Sequence, residues 1–249
     1  MSDRWPALPP GYTEWAAPPA LRGVVACLWA QVAPDRADRD VLVLPDACSD
    51  LIWEQGTGAY VAGPDTGPAP VTMSGGAVVV GVRLRPTAGG PVLGVPLHEL
   101  RDRRVGLADL LPVAGEKLPA DLDPEIAAER ILGIAGALVA DADLDPAVRE
   151  VARALRDPRV TTEDAAADTG LSPRHLRRRF HDAVGYGPKT LQRVLRFRRF
   201  VSRLDAGDLA DLATLAAETG YADQAHLTRE CTRLAGMPPA ALARARAQQ

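Results

Sequence analysis

Two stretches about fifty residues apart decide the fold: Thr169-Gly170-Leu171-Ser172-Pro173-Arg174-His175-Leu176-Arg177-Arg178-Arg179-Phe180, and Thr219-Gly220-Tyr221-Ala222-Asp223-Gln224-Ala225-His226-Leu227-Thr228-Arg229-Glu230-Cys231. In each, an Ala-rich amphipathic segment runs into Thr-Gly, where glycine supplies the left-handed turn that ends a helix. A polar cap follows, Ser172 or Asp223, and then a second helix. That helix carries arginines on one face and Leu/Phe or Leu/Cys on the other. Each stretch therefore predicts a helix-turn-helix unit, the first over about 161–184 and the second over about 210–235. Two such units on one chain would reach two successive major grooves without a partner.

The outward positions of the second helices carry chemistry suited to base edges. With Leu176 and Phe180 in the core, Arg174, Arg177 and Arg178 face out, and an arginine fork can grip O6 and N7 of guanine. With Leu227 and Cys231 in the core, Gln224, Ala225, Thr228 and Arg229 face out. Glutamine can pair with adenine, while alanine and the threonine methyl can touch a thymine methyl. Asp223 reads as the helix cap. The blander reading is a solvated or phosphate-contacting face, which any one of these arginines could be. Between the units, residues 189–204 form one long amphipathic helix whose Leu191, Val194, Leu195, Phe197, Phe200, Val201 and Leu204 share an apolar face. Its Lys189, Arg193, Arg196, Arg198 and Arg199 are expected to supply phosphate contacts, which carry affinity and salt dependence but no sequence information, or surface charge.

The charge distribution agrees. The chain of 249 residues has a formal charge of −3, but residues 158–249 hold 15 basic against 10 acidic residues, net +5, leaving 14 against 22, net −8, in the rest. An acidic front and a basic back fit a regulatory domain joined to a DNA-binding domain. There is length for two cores. No apolar run approaches the ~18 residues of a membrane span. Residues 1–19 lack the basic start and apolar centre of a secretion signal, so a cytoplasmic protein is expected. Cys27, Cys48 and Cys231 are odd in number and widely spaced, which argues against a disulfide framework or a structural zinc site.

Up to about residue 112 the chain reads as mostly β. Val24-Val25-Ala26-Cys27-Leu28-Trp29, Val41-Leu42-Val43-Leu44, Leu51-Ile52-Trp53, Ala59-Tyr60-Val61 and Ala77-Val78-Val79-Val80-Gly81-Val82 are short apolar runs between Pro and Gly clusters. They predict a small barrel or sandwich, closed by a looped or helical stretch over 91–111. Residues 124–139, after Asp123 as cap and with Pro at the first helical position, predict a helix with Ile126, Ile131, Ile134, Leu138 and Val139 near one face. It either packs on the barrel or serves as a dimerisation helix. The fold class is thus α+β in two domains: a β-rich sensor domain over 1–121, a helical linker over 122–143, and an all-α domain over 144–249.

At the helix-turn-helix residues the chain resembles the AraC/XylS family of transcriptional regulators. The marks are Gly170-Leu171-Ser172-Pro173 with Leu176, Arg178 and Phe180, Gly185 with Pro188, and Arg196; then Leu212, Ala216, Thr219-Gly220-Tyr221, Asp223-Gln224, His226-Leu227, Arg229, and Gly236 with Pro238. The resemblance covers about 145–246. It implies two helix-turn-helix subdomains joined by a long helix, with Arg174, Arg177, Arg178, Gln224, Ala225, Thr228 and Arg229 at the family's DNA-contacting positions. The family usually has an aromatic where Cys231 and Leu191 stand, and Glu230 is unusual beside a DNA face. Leu44-Pro45-Asp46-Ala47-Cys48-Ser49-Asp50-Leu51-Ile52-Trp53, Gly81-Val82-Arg83-Leu84-Arg85-Pro86 and Gly94-Val95-Pro96 with Glu99-Leu100 resemble the short β-rich sensor domain of an actinobacterial-type branch.

The expected protein is a sequence-specific transcription regulator, activator or repressor, that binds double-stranded DNA, works with RNA polymerase and responds to a small effector. A homodimer and a monomer both remain open. A barrel lined by Trp29, Trp53, Val80, Val82 and Leu84, with Arg83 or Arg85 nearby, would hold the effector. A filled core, with the domain serving only protein–protein contact, is the alternative. A thiol- or alkylation-responsive regulator using Cys48 is another, although Asp46 and Asp50 would raise that thiol's pKa and discourage the thiolate. No enzyme and no cofactor are expected. His98 is the only histidine before the helix-turn-helix region, so a two-His-one-carboxylate metal site cannot form there.

Overall fold

The computed structural model describes residues 5–34, 38–207 and 211–246. Position 210, where the second unit was expected to begin, and the outer ends of the two expected domains lie outside the described residues.

Among the described residues eight strands come first: β1 (Gly11–Ala16), β2 (Val25–Val32), β3 (Arg39–Val43), β4 (Ser49–Glu54), β5 (Gly58–Ala62), β6 (Ala69–Met73), β7 (Val78–Leu84) and β8 (Arg104–Gly106). Three short helices lie beside the last two: α1 (Gly89–Leu93), α2 (Leu107–Leu110) and α3 (Pro112–Gly115). The rest is helical: α4 (Pro124–Ala140), α5 (Pro146–Ala154), α6 (Thr162–Ala166), α7 (Pro173–Val184), α8 (Pro188–Asp205), α9 (Leu212–Thr219), α10 (Gln224–Ala235) and α11 (Pro239–Arg246).

The main sheet is antiparallel, in the order β1-β2-β7-β4-β5-β8, with β3 and β6 paired separately. Its edges, β1 and β8, do not pair with each other among the described residues, so of the expected barrel or sandwich the closed barrel does not form, and the open sheet with its two-stranded ribbon is sandwich-like. The stretch 91–111 holds only α1, a three-residue 3-10 turn (Leu97–Glu99), β8 and α2. After Pro96 the chain makes only that single turn.

Alternation along the strands gives the sheet two different faces. Leu28, Ala30, Leu51, Trp53, Val61, Val80, Val82 and Leu84 join one core with residues of α1 and α4, namely Val92, Leu93, Ala127, Ala128, Ile131, Leu132 and Ala135. Of the expected face of α4, Ile131 is buried and Ile134, Leu138 and Val139 pack against the core, joined by its alanines, whereas Ile126 is 46% exposed. α4 packs on the sheet. Its cap forms as expected, with the Asp123 carboxylate accepting from the backbone N–H groups of Glu125 and Ile126. The other face of the sheet carries a smaller cluster with Trp29, Ile52, Ala62 and Val79, covered by Met73 and Val41 of the ribbon.

The helical half is built on α8. Leu191, Val194, Phe197 and Phe200 are fully buried and pack with Val148 and Val151 of α5, Leu176 and Phe180 of α7, Leu215 of α9 and Leu227 and Cys231 of α10. Ala47 from the sheet half enters this core, and Leu44 packs against it. Ala47, in the loop before β4, is buried there with a positive φ of 69°, a conformation that costs a non-glycine residue about 1 kcal/mol or more and persists only where packing enforces it.

Phe200→Ala should destabilise the protein by about 3–5 kcal/mol, the range for emptying a buried phenylalanine site. Urea-unfolding midpoints of parent and variant check this.

Candidate nucleic-acid interface

The first unit forms from local signals. Thr161 and Asp164 make a reciprocal capping box at the start of α6. The chain then turns at Gly170, in the left-handed region with φ of 65°. Ser172 caps α7 by accepting from His175 N–H at 3.4 Å, with Pro173 in the first turn, where its missing N–H costs nothing. The second unit repeats the plan with other residues. Asp211 caps α9, Gly220 turns the chain at φ of 90°, and Asp223 caps α10 by accepting from His226 N–H at 2.6 Å.

Side-chain placement follows helical spacing. In α7, Leu176 and Phe180 are buried while Arg174, Arg177 and Arg178 are exposed. In α10, Leu227 and Cys231 are buried, Gln224, Ala225 and Arg229 are exposed, and Thr228 is half-buried with its hydroxyl donating to the Gln224 carbonyl at 2.9 Å. All seven residues therefore stand on or beside the outer faces of the two second helices. Among them the five exposed polar side chains are Arg174, Arg177, Arg178, Gln224 and Arg229.

The arginines of α8 do something different. Arg193 makes two hydrogen bonds to the Glu230 carboxylate, at 2.6 and 2.8 Å, pinning α10 to α8. Arg196 lies with its guanidinium 5.5 Å from the centre of the Tyr221 ring. Arg199 donates to the Thr219 carbonyl at 3.1 Å and to the Arg156 carbonyl. Arg198 donates to the Asp46 carbonyl at 3.4 Å, on the loop that inserts Ala47. Lys189 is exposed, 3.4 Å from the Gln192 side chain. The odd Glu230 is thereby explained: it is an internal partner, not a base reader. Sequence reasoning could not find this pair, because its members are thirty-seven residues apart.

Of the four residues expected to gather around an effector, Trp29 and Arg83 meet, with the guanidinium 5.9 Å from the centre of the indole ring, and Trp53 and Arg85 lie elsewhere. Trp53 is fully buried in the sheet–α4 core with its indole N–H donating to the Pro119 carbonyl at 2.9 Å, whereas Trp29 lies on the opposite face. Arg83 is on the Trp29 face, 3.0 Å from Glu14, 3.2 Å from Asp50 and 3.3 Å from Asp46. Burial pushes the Asp50 carboxyl up. Trp29 N–H donates to it at 2.6 Å. Burial of Arg83 works against its charge, but Asp50 and Asp46 more than compensate and hold it protonated. Arg85, past the end of β7, donates to the Arg22 carbonyl at 2.9 Å and opens onto the helical half instead.

There, two adjoining clefts of about 370 and 350 Å³ share Arg85, Pro86, Arg156 and Leu195. The second also has Arg198, Arg199, Asp46 and Cys48 on its walls. No group of three or more His, Cys, Asp or Glu side chains among the described residues could hold a metal ion. No helix there is long and apolar enough to cross a membrane.

Comparison with known proteins agrees with the helical half. Residues 165–245 match a family model described as a helix-turn-helix domain. Residues 13–106 match one described as a domain of unknown function (DUF6597). The search of curated proteins found no match. Among solved structures, ToxT from Vibrio cholerae O395 is similar at a TM-score of 0.48 and 8% identity, over 87% of this chain and 96% of that one. Unsaturated-fatty-acid-bound wild-type ToxT from Vibrio cholerae strain SCE256 aligns at a TM-score of 0.39 and 12% identity, over 87% and 90%. Likeness this distant carries no weight for residue roles or ligands. The class is plain from the two units and the family match: this is a helix-turn-helix DNA-binding transcription regulator. Its residues 165–245 form a helix-turn-helix domain of a known family, behind a β-rich N-terminal domain that matches a separate one.

Two outcomes follow from the electrostatics. Burial raises the Glu230 pKa, but the hydrogen bonds and charge of Arg193 outweigh it and hold the carboxyl below its ordinary 4.5. A depressed carboxyl contributes stability above its unfolded pKa and loses it as pH falls through the folded one. The stability gap between parent and Glu230→Gln should be present at about pH 6 and close as pH drops below about 4.5, in urea titrations across that range. Burial favours the protonated form of all three thiols. Burial pushes Cys27 and Cys231 to about 12, and burial with Asp46 pushes Cys48 well above its ordinary value. Ellman's reagent at about pH 8 should therefore label the native protein slowly and all three thiols at once in denaturant. Fast labelling of Cys48 in the native protein would restore the thiol-sensor reading.

Proposed function

We propose that α7 and α10 are the reading helices of a sequence-specific regulator. In this reading Arg174, Arg177, Arg178, Gln224, Ala225, Thr228 and Arg229 meet base edges or nearby backbone, and Lys189 meets a phosphate. The observation that carries it is the common build of the two units. Each sets its second helix on α8 by two buried residues four apart and leaves the first two turns of the opposite face exposed and polar. That is the part of such a helix that enters a major groove. Arg196, committed to Tyr221, holds the second unit's turn and is assigned to positioning rather than to DNA.

The domain division at about 141–145, between α4 and α5, belongs to the same proposal. So does regulation by a small effector. Its support is the cleft between the halves, where Arg85 from the sheet half faces Arg156, Arg198 and Arg199 from the helical half. Four guanidiniums with one carboxylate on the walls favour an anionic molecule that touches both halves at once. A ligand there changes DNA affinity only if it binds the two functional states unequally. RNA polymerase as a partner follows from the regulator's role. α4 packs on the sheet, and its exposed Ile126 is the residue through which a dimer would form.

The test is selection from genomic fragments by the purified protein, in parallel with Arg177→Ala and Arg229→Ala. The parent should select a two-part motif with halves about one helical turn apart. Each substitution should relax one half, at about 1–3 kcal/mol per lost bidentate contact, while Lys189→Ala should flatten the salt dependence without changing the motif. An identical motif from both arginine variants would require another DNA face.

A further inference from the structure

The sheet half does not merely hang behind the reading domain; it is packed on the first reading helix itself. Gly90 of α1 lies so close to α7 that a Cβ there would sit 2.1 Å from the Asp182 carbonyl oxygen. Gly185, which ends α7, is similarly close to Pro64, where a Cβ would lie 2.6 Å from the proline ring. Backbones in such contact cannot slide past one another, so α7 and this edge of the sheet half move together.

The contact continues into side chains. His98 Nδ1 is 3.7 Å from the Asp182 carboxylate, and the His98 and His181 rings meet edge to face with centroids 6.1 Å apart. His181 stands one turn beyond Arg177 on α7, and the Gly187 backbone lies beside both side chains. The turn 100–103 follows immediately and carries Arg101, whose side chain is 42% exposed and lies 3.8 Å from the Asp102 carboxylate. Asp102 itself is engaged by the Thr66 N–H and hydroxyl. Burial lowers the His181 pKa, and the charges of Arg177 and Arg101 lower it further. Arg101 follows His98 by three residues, so an exposed guanidinium of the sheet half stands on a turn beside the C-terminal end of the first reading helix.

We propose that the N-terminal domain takes part in DNA binding directly, with Arg101 contacting the phosphodiester backbone that flanks the groove occupied by α7. This rests on α7 being a reading helix. A phosphate contact of this kind adds affinity and salt dependence and leaves base choice alone. It also makes the grip on DNA depend on the sheet half remaining docked on α7.

The test uses the full chain and the motif selected by the parent protein, with affinity measured by fluorescence anisotropy across a series of salt concentrations. Arg101→Gln should reduce the slope of log K against log salt by about 0.9, the loss of one neutralised phosphate. Arg101→Lys should keep the parent slope, and all three proteins should select the same motif. Arg130→Gln, which removes the same charge from α4, should leave the slope unchanged. A parent slope in Arg101→Gln would overturn the inference while leaving the reading helices in place; this is the result expected if the sheet half leaves α7 on DNA. If the parent protein selects no motif, the reading of α7 fails and the inference falls with it.

Discussion

The buried face of α8 is the constraint on which the other features of the helical half depend. Four fully buried side chains, Leu191, Val194, Phe197 and Phe200, sit under both helix-turn-helix units at once. Neither unit is large enough to bury a core alone: α6 has five residues and α9 eight. Each therefore obtains its shape by packing on the shared helix, and this fixes the distance and angle between α7 and α10. Polar contacts set the register of that packing. Arg193 holds α10 through Glu230, and Arg199 bonds to carbonyls near the ends of α5 and α9. Buried or half-buried arginines of this kind cost desolvation, and their return is a single arrangement of the two units.

The same helix also receives the sheet half. Arg198 reaches the carbonyl of Asp46, whose carboxylate is 3.3 Å from Arg83 and whose neighbour Ala47 is driven into the helical core in a left-handed conformation. A short loop thereby connects a charged cluster on the outer face of the sheet with the helix that spaces the reading units. Together with the close backbone approach of α1 to α7, it makes the two halves neighbours through packed surfaces. An anion drawn to the arginine-lined cleft would act on this same junction.

The helix-turn-helix units were legible because their signals are local. Thr-Gly, Ser-Pro and Asp-Gln occupy adjacent positions, and turn, cap and first helical residue need nothing from the rest of the chain. The strands with apolar runs were legible too, but β1 and β6 were not. Gly11–Ala16 alternates Tyr12 and Glu14 with partly buried residues on an edge, and Ala69–Met73 begins after a proline in a ribbon. Sheet closure and pocket geometry depend on register, which no short segment contains. Trp29 pairs with Gly81 and Trp53 with Val80, neighbouring positions on β7, and that single-residue offset puts the two indoles on opposite faces. At the interface, the outward residues of α7 and α10 could be read from helical spacing alone. The diversion of Arg193 and Arg196 into internal contacts, and the place of Arg101 beside α7, arise from contacts across the fold and had no sequence signal.

The central claim is that α8 holds the two reading helices at one spacing. Affinity for the selected site should be measured after inserting one to five base pairs between its halves. Rigid spacing predicts a steep loss at the first insertion, at least the about 1–3 kcal/mol of a single mismatched base pair, and no recovery up to the half-turn at five. Affinity that stays within twofold across the insertions would show that the two units move independently, and would contradict the account.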